Sequence, residues 1–225
     1  MKDSLSRRLI RSALLTVLPI LVALVAIVYI FAYRQLERQM DMQTDLLGDD
    51  TVRRILLVVE PVADIPRSLA VSISRTNMNP ETLDHLLTES VQLNPNVFGM
   101  ALGLEPGVLP NQERYCPYVF RERGEIRSRR LDTPGYRYWT LPWYTEPLRS
   151  GQSMWSEPYY DEGGGDILMS TYSVPVIGEG RPLGIVTADI SLQRLKAIVS
   201  SIRILDSGYA TLLSSSGRLI VYPDE

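Results

Sequence analysis

The chain has 225 residues, 45% of them hydrophobic and 22% charged, with a formal net charge of -3. That length and composition fit one or two folded domains and exclude disordered, collagen-like and repeat architectures. The mixed charge gives no basis for nucleic-acid binding, the single Cys116 excludes an internal disulfide framework and a cysteine zinc site, and the single His85 excludes most histidine metal clusters. Neither a metal nor a cofactor is expected.

The run ALLTVLPILVALVAIVYIFA, from Ala13 to Ala32, has the roughly 20 apolar residues that a helix needs to cross a bilayer core. A cleaved signal peptide would have an apolar region of about 7 to 15 residues, so a retained membrane anchor is expected. Lys2, Arg7, Arg8 and Arg11 crowd the N-terminal flank, whereas Arg34 and Arg38 on the other side are diluted by Glu37, Asp41 and Asp45. The positive-inside rule then puts the N-terminus in the cytoplasm and everything after Tyr33 in the periplasm or outside the cell.

From Tyr33 to Glu60 the sequence reads as a helix leaving the membrane, with Leu36, Met40, Leu47, Val52, Leu56 and Val59 as its apolar residues. It is either a stalk pairing with a second subunit or a helix packed on its own domain. Pro61 and Pro66 are expected to punctuate it, with a short helix following through Leu69 and Ile73. Asn79, Pro80 and Glu81 give an N-terminal helix signal, and Leu83, Leu86, Leu87 and Val91 follow at helical spacing up to Asn94 and Pro95. His85 lies off that stripe and reads as solvent-facing.

After Pro95 the pattern changes to strands: Val97 to Leu104, then Tyr115 to Phe120 turning at Arg123 and Gly124 into Ile126. Cys116 is expected to be a half-buried strand residue. Arg121, Arg123, Arg127, Arg129 and Arg130, interleaved with Glu122 and Glu125, read as a solvated hairpin face. Tyr136, Tyr138, Trp139, Trp143 and Tyr144 then crowd a segment broken by Pro134, Pro142 and Pro147. Such rings offer a pocket apolar walls and negative faces for a cation, although Tyr138 and Trp139 fit better as a plug at one end of a sheet.

Three further strands are expected at Met154 to Asp161, Ile167 to Ile177 and Leu183 to Ile190, antiparallel through glycine turns at Gly163 to Gly165 and Gly178 to Gly180. The triple glycine has no following helix and no P-loop lysine, and Asp161, Glu162 and Asp166 lack calcium-loop spacing. A helix capped by Asp189 or Ser191 follows, with Leu192, Leu195, Ile198, Val199 and Ile202 at helical spacing. Tyr209 to Ser214 and Arg218 to Tyr222 then open a hairpin that suggests a second domain whose remainder is missing. With no nucleophile elbow, metal motif or plausible histidine base, the chain does not read as an enzyme.

The stretches WSEPYYDEGGG, MSTYSVPV and GIVTADISLQRL, with GYA and YPDE beyond them, resemble the double Cache sensor domain of bacterial histidine kinases, chemoreceptors and membrane phosphatases or cyclases. The resemblance covers nearly the whole chain and implies an α+β fold with a PAS-like antiparallel sheet and flanking helices. It divides the chain into a cytoplasmic N-terminus (1–12), a transmembrane helix (13–32) and a long exit helix with a following short helix (33–76). A membrane-distal PAS-like module (77–203) and the first hairpin of an incomplete membrane-proximal module (204–225) complete it. In amino-acid-binding members, tyrosines, an Arg-x-Trp-Tyr element and two aspartates hold the ligand. The matching positions here are Tyr136, Trp143, Tyr144, Tyr159, Asp161 and Asp189, but Leu141 occupies the place of the arginine, and Arg137 is the nearby alternative. Leu141 cannot pair with a carboxylate as arginine does, so a small amine suits the pocket better than an amino acid. The resemblance therefore implies a sensor for an amine or amino-acid-like ligand, signalling through the membrane helices, homodimeric along the exit helix, with any output domain beyond a second membrane helix. The alternative is a membrane-anchored structural or assembly module that binds no small molecule.

Overall fold

The computed structural model describes residues 2–75, 79–110, 112–204, 208–214 and 216–222. The end of the YPDE motif and the side chains of Lys2, Arg7 and Arg8 lie outside the described residues. The chain divides into two compact units, Met1–Asp50 and Thr51–Glu225.

The described residues of the first unit all belong to helix α1 (Lys2–Arg75). Leu15, Val17, Ile20, Val25 and Ile27 are all exposed along it. Among the described residues α1 is the one helix long and apolar enough to cross a membrane.

In the second unit α1 continues without interruption to Arg75, through Pro61 and Pro66, where the sequence predicts a break. A proline inside a helix removes one hydrogen bond and crowds the preceding turn. Here Val62, Ala63, Leu69, Ala70 and Ile73 are buried in the main apolar core, and that packing offsets the loss. Arg67 fixes the position further, donating from Nε and Nη2 to Tyr172 Oη at 2.9 and 2.7 Å while pairing with Asp64 at 2.8 Å. Helix α2 (Pro80–Leu93) starts as its sequence signal requires, with the Asn79 side chain accepting from Glu81 N at 3.0 Å and Leu83, Leu87 and Val91 buried.

The strands β1 (Gly99–Leu104), β2 (Pro117–Glu122), β3 (Glu125–Arg130), β4 (Met154–Trp155), β5 (Tyr159–Tyr160), β6 (Leu168–Gly178) and β7 (Arg181–Ser191) form one antiparallel sheet. Its order is β3-β2-β1-β7-β6-β4, with β5 also on β6. The single strand expected from Met154 to Asp161 is two short ones, because Pro158 has no N–H for the ladder. The segment broken by Pro134, Pro142 and Pro147, to which no element is assigned from sequence, holds a 3-10 turn (Tyr138–Thr140) and helix α3 (Pro142–Ser150). Pro142 is tolerated in its first turn, and Gly151 at φ 67° ends it in the left-handed conformation. Helix α4 (Leu192–Ser200) is capped by Ser191, which accepts from Arg194 N at 3.1 Å. Two small ladders follow, β8 (Arg203–Ile204) with β9 (Gly208–Tyr209) and β10 (Leu212–Leu213) with β11 (Leu219–Val221).

Two sequence expectations need correction. The arginine-rich hairpin is not merely solvated: Arg121 gathers the carbonyls of Val91, Val97 and Asn94 at the end of α2, and Arg129 holds the glycine loop described below. Cys116 is fully rather than half buried, and burial pushes its thiol pKa well up.

Strand alternation divides the sheet into two faces. Met100, Leu102, Leu104, Val119, Tyr172, Val174, Val176 and Val186 meet α1 and α2 on one side. On the other, Ala101, Tyr118, Phe120 and Ile185 meet the rings of Tyr136, Tyr138, Trp143 and Tyr144. The residues of β1 on that second face are all small. A Cβ at Gly99 would lie 2.5 Å from Tyr118 Oη, and one at Gly103 would lie 2.9 Å from a Tyr144 ring carbon and 3.0 Å from Tyr138. The small row on β1 is thus what lets a layer of tyrosines lie flat on the sheet.

Candidate functional site

Between α3, the β4–β5 segment and β6 lies a cavity of about 620 Å³. Of the six site residues picked out in the sequence, Tyr136, Trp143, Tyr159 and Asp161 stand on its wall, as do Leu141 and Arg137. Asp189 and Tyr144 are not among its lining residues.

Asp161 organises the near wall. It is only 4% exposed, and its backbone carbonyl accepts from Asp166 N at 2.9 Å while Oδ2 accepts from Gly165 N at 2.8 Å. Tyr136 donates its hydroxyl to Oδ1. The carboxylate is folded so tightly over the turn that a Cβ on Gly164 would sit 2.1 Å from Oδ2, which is why the turn needs glycine there. Arg129 braces the loop from β3, donating to the carbonyls of Gly163 and Gly164 at 2.8 and 2.7 Å and to Asp166 Oδ2 at 3.2 Å. Burial raises the Asp161 pKa, opposed by the hydrogen bonds from Tyr136 and Gly165. Burial and the neighbouring Asp161 charge also push the Tyr136 pKa well up, so its phenol stays protonated and stays a donor. A carboxylate offers about four lone-pair sites, and two accepted bonds leave capacity for a ligand.

Asp189, on β7, is 3% exposed and stands one layer behind. Thr171 Oγ1 donates to its Oδ1 at 2.7 Å, and Tyr159 Oη lies 2.8 Å from the same Thr171 oxygen. Thr171 has a single proton, so when it serves Asp189 the Tyr159 phenol is the donor to Thr171. A hydrogen-bonded line therefore runs from the cavity wall at Tyr159 to Asp189. Burial pushes the Asp189 pKa up to about 7 against the hydrogen bond from Thr171, and the Asp161 charge adds to that shift. Tyr118 Oη approaches Asp189 without completing a hydrogen bond.

Tyr144 neighbours Trp143 on α3, and consecutive helical residues point about 100° apart. Trp143 faces the cavity, whereas Tyr144 turns toward the sheet and donates to Glu105. Tyr138 donates to Leu104 O at 2.8 Å and Trp139 stacks under Arg114, whose guanidinium lies 3.6 Å from the ring centroid. Both fill the end of the sheet and neither lines the cavity.

Sequence reasoning missed Glu146, Ser156, Glu157 and Ser173 on the wall. Glu146 lies three residues after Trp143, one helical turn along the same face, a spacing that becomes informative once α3 is recognised. Ser173 follows Thr171 on one face of β6, a period-2 signal masked by the general apolarity of the strand.

The family model for the first PDC sensor domain of methyl-accepting chemotaxis protein-like receptors matches residues 83–197. The methyl-accepting chemotaxis protein PctB of Pseudomonas aeruginosa is 34% identical over 84 residues, covering 37% of this chain and 13% of that protein. The chain thus spans a minor part of the relative's length. The extracellular domain of histidine kinase soHK1S-Z6 superposes with a TM-score of 0.65 at 29% identity, over 77% of this chain and 67% of that one. The ligand-binding domain of PctB from Pseudomonas aeruginosa, solved with L-Gln, does so with a TM-score of 0.59 at 26% identity, over 80% of this chain and 66% of that one. With the sheet, the flanking helices and the walled cavity in place, the match settles the family: this chain belongs to the methyl-accepting chemotaxis protein-like first PDC sensor domains, extracellular Cache-type domains that bind ligands and do not catalyse.

Proposed function

We propose that the cavity binds a small amine or amino-acid-like ligand, with its ammonium against Asp161 and the rings of Tyr136, Trp143 and Tyr159. The observation that carries this reading is the charge of the wall: Glu146, Glu157, Asp161 and Glu162 line it, against Arg137 as its one basic residue. A desolvated carboxylate beside aromatic faces favours a cation through both charge and cation–π attraction. That PctB, a structural neighbour, is solved with L-Gln and with L-Arg supports a ligand of this size and chemistry. Asp189, behind Tyr159, tunes the site rather than touching the ligand.

The receptor reading extends to the membrane. The N-terminal flank lies in the cytoplasm, the second unit lies outside the inner membrane, and two copies pair along the exposed Leu36, Met40, Val52 and Leu56 of the exit helix. Ligand then biases the helices only to the extent that it binds one arrangement more tightly than another. Size-exclusion chromatography with light scattering tests the pairing, and a monomer at all concentrations would refute it.

Calorimetric titration of the full chain in detergent with amines and amino acids tests the binding. Amines are expected to bind, and Asp161→Asn to weaken them roughly tenfold or more, the range for a lost charge-assisted bond. Preference for anionic or neutral compounds would overturn the reading. Silence toward every compound, from a folded sample, would favour an assembly module.

A further inference from the structure

Two residues that line the cavity each carry a buried polar atom with no hydrogen-bond partner among the described residues, Trp143 Nε1 and Ser173 Oγ. Trp143 is 5% exposed and Ser173 1% exposed. Buried polar groups are almost always paired, because an unpaired one forfeits its hydration without return, so two around one cavity, on α3 and on β6, call for an explanation.

Ser173 stands out in its row. On this face of the sheet, β6 and β7 present the hydroxyls of Thr171, Ser173 and Thr187, with Ser173 directly opposite Thr187 in register. Thr171 is committed to Asp189 and Tyr159. Thr187 Oγ1 accepts from the Ala101 amide at 3.0 Å. Ser173 alone of the three is uncommitted, and it alone of the three lines the cavity. The indole N–H of Trp143 lies near enough to Tyr136 Oη to oppose that phenol's upward pKa shift but outside hydrogen-bonding geometry.

An indole N–H is a donor only, so its partner must be an acceptor; a serine hydroxyl can adapt to either role. Neither carries charge. A ligand carboxylate placed here would face Glu146, Glu157 and Glu162 with Leu141 close by and a single guanidinium, Arg137, on the wall. An uncharged oxygen would meet the same donors without that repulsion. We propose that Ser173, together with Trp143 Nε1, forms a neutral subsite for an uncharged oxygen of the ligand. The cavity then prefers amines bearing an amide, ester or hydroxyl oxygen over both plain amines and free α-amino acids. The inference rests on the amine-binding reading above and specifies the other end of the ligand.

The test is calorimetry on the full chain in detergent with two matched series: L-alaninamide, ethylamine and L-alanine; and L-leucinamide, 3-methylbutylamine and L-leucine. In at least one series the amide is expected to bind about tenfold more tightly than the amine and than the amino acid, as one or two added neutral hydrogen bonds would give. Ser173→Ala and Trp143→Phe should each reduce the amide-to-amine ratio at least threefold, and Ser173→Thr, which keeps a hydroxyl, should retain more of it than Ser173→Ala. Because Ser173→Ala removes an unpaired buried hydroxyl, its ligand-free melting temperature should equal or exceed that of the parent. An amide-to-amine ratio near one, or a ratio unchanged in both variants, would overturn the subsite and leave the amine reading standing. Tightest binding by the free amino acids would overturn the preference for a neutral oxygen. If no member of either series binds the folded chain, both proposals fall.

Discussion

The two faces of the one sheet are built to opposite rules. Toward α1 and α2, β1 presents Met100, Leu102 and Leu104, all buried in a mainly aliphatic core to which Tyr115 and Tyr172 add two hydrogen-bonded hydroxyls. Toward the cavity, the same strand presents Gly99, Ala101 and Gly103, and the space they leave is filled by tyrosines, of which Tyr138 and Tyr144 find hydroxyl partners and Tyr118 does not. The polar residues buried in the sheet, Ser170 apart, follow the second face: Thr171, Ser173, Thr187 and Asp189. One face supplies stability, and the other spends part of it on unpaired and titratable groups that a ligand can use. Binding sites in general are placed where stability is locally given up.

The sharpest way to break the comparison is to damage the stabilising face. Leu102→Ala removes a side chain that is 0% exposed and should cost about 2–5 kcal/mol, the range for cavities left by large-to-small core changes. Denaturant titration would measure it. Ligand affinity of the remaining folded protein should be unchanged, since Leu102 has no contact with the cavity face; a parallel loss of affinity would show that the faces are not independent.

The second prediction uses pH. Asp189, with its pKa raised by burial to about 7, binds a proton more tightly in the folded chain than in the unfolded one, where an aspartate titrates near 4. Its contribution is fully present below about pH 4 and is lost as pH rises to about 7, with a slope of at most about 1.4 kcal/mol per pH unit. Asp161, also raised, acts in the same direction. Asp166, lowered by Gly163 N and Arg129, acts in the opposite sense, its contribution fading only on acidification. Asp189→Asn should flatten the dependence between pH 4 and 7 in melting experiments. A parent protein whose stability rises through that interval would contradict the burial of an unpaired acid.

How much of this was legible in the sequence depends on what kind of signal each part leaves. Helix α2 announced itself through Asn79, Pro80 and Glu81, and the long hairpin of β6 and β7 through its apolar runs and glycine turn, because caps and turns are local chemistry. The continuity of α1 through Pro61 and Pro66 was not legible, since it depends on Val62, Ala63 and Ile73 meeting a sheet formed much later in the chain. For the same reason α3, with prolines at 142 and 147, was not recognised as a helix. In the site, the family resemblance pointed to Tyr136, Trp143, Tyr159 and Asp161 along with Tyr144 and Asp189, but whether a ring faces the cavity or the sheet is set by helix phase, which no ring reveals by itself. Ser173 left only the masked period-2 signal it shares with Thr171, because a serine in a strand becomes notable only when its neighbours' hydroxyls are seen to be committed.

A third prediction probes the small row that separates the faces. Gly103→Val would place a branched side chain where a Cβ already meets the Tyr144 and Tyr138 rings at 2.9 and 3.0 Å. Overpacking of this kind costs about 1–3 kcal/mol. Because the displaced rings back onto Trp143, with which Tyr138 and Tyr144 are stacked or edge-on at 6.4 and 5.9 Å, ligand affinity should fall as well. This is the opposite signature to Leu102→Ala, and denaturation and calorimetry on the two variants would separate them.

The smallest effect concerns Tyr144, which the family resemblance places with the ligand-binding residues and which the fold turns toward Glu105. Tyr144→Phe keeps the ring over Gly103 and removes only the hydroxyl. Glu105 is half-buried and can recover water, so the loss should be about 0.5–1.5 kcal/mol, the net value of one hydrogen bond. Ligand affinity should not change measurably, because the hydroxyl lies on the sheet side of α3. Tyr159→Phe makes the contrast: its hydroxyl connects the cavity wall through Thr171 to Asp189, so its removal should alter the pH dependence of ligand binding between about pH 6 and 8, around the raised Asp189 pKa. If Tyr144→Phe proved the more damaging of the two to binding, α3 would have to turn Tyr144 toward the ligand when the cavity fills, and the assignment of the two adjacent rings to opposite sides would fail.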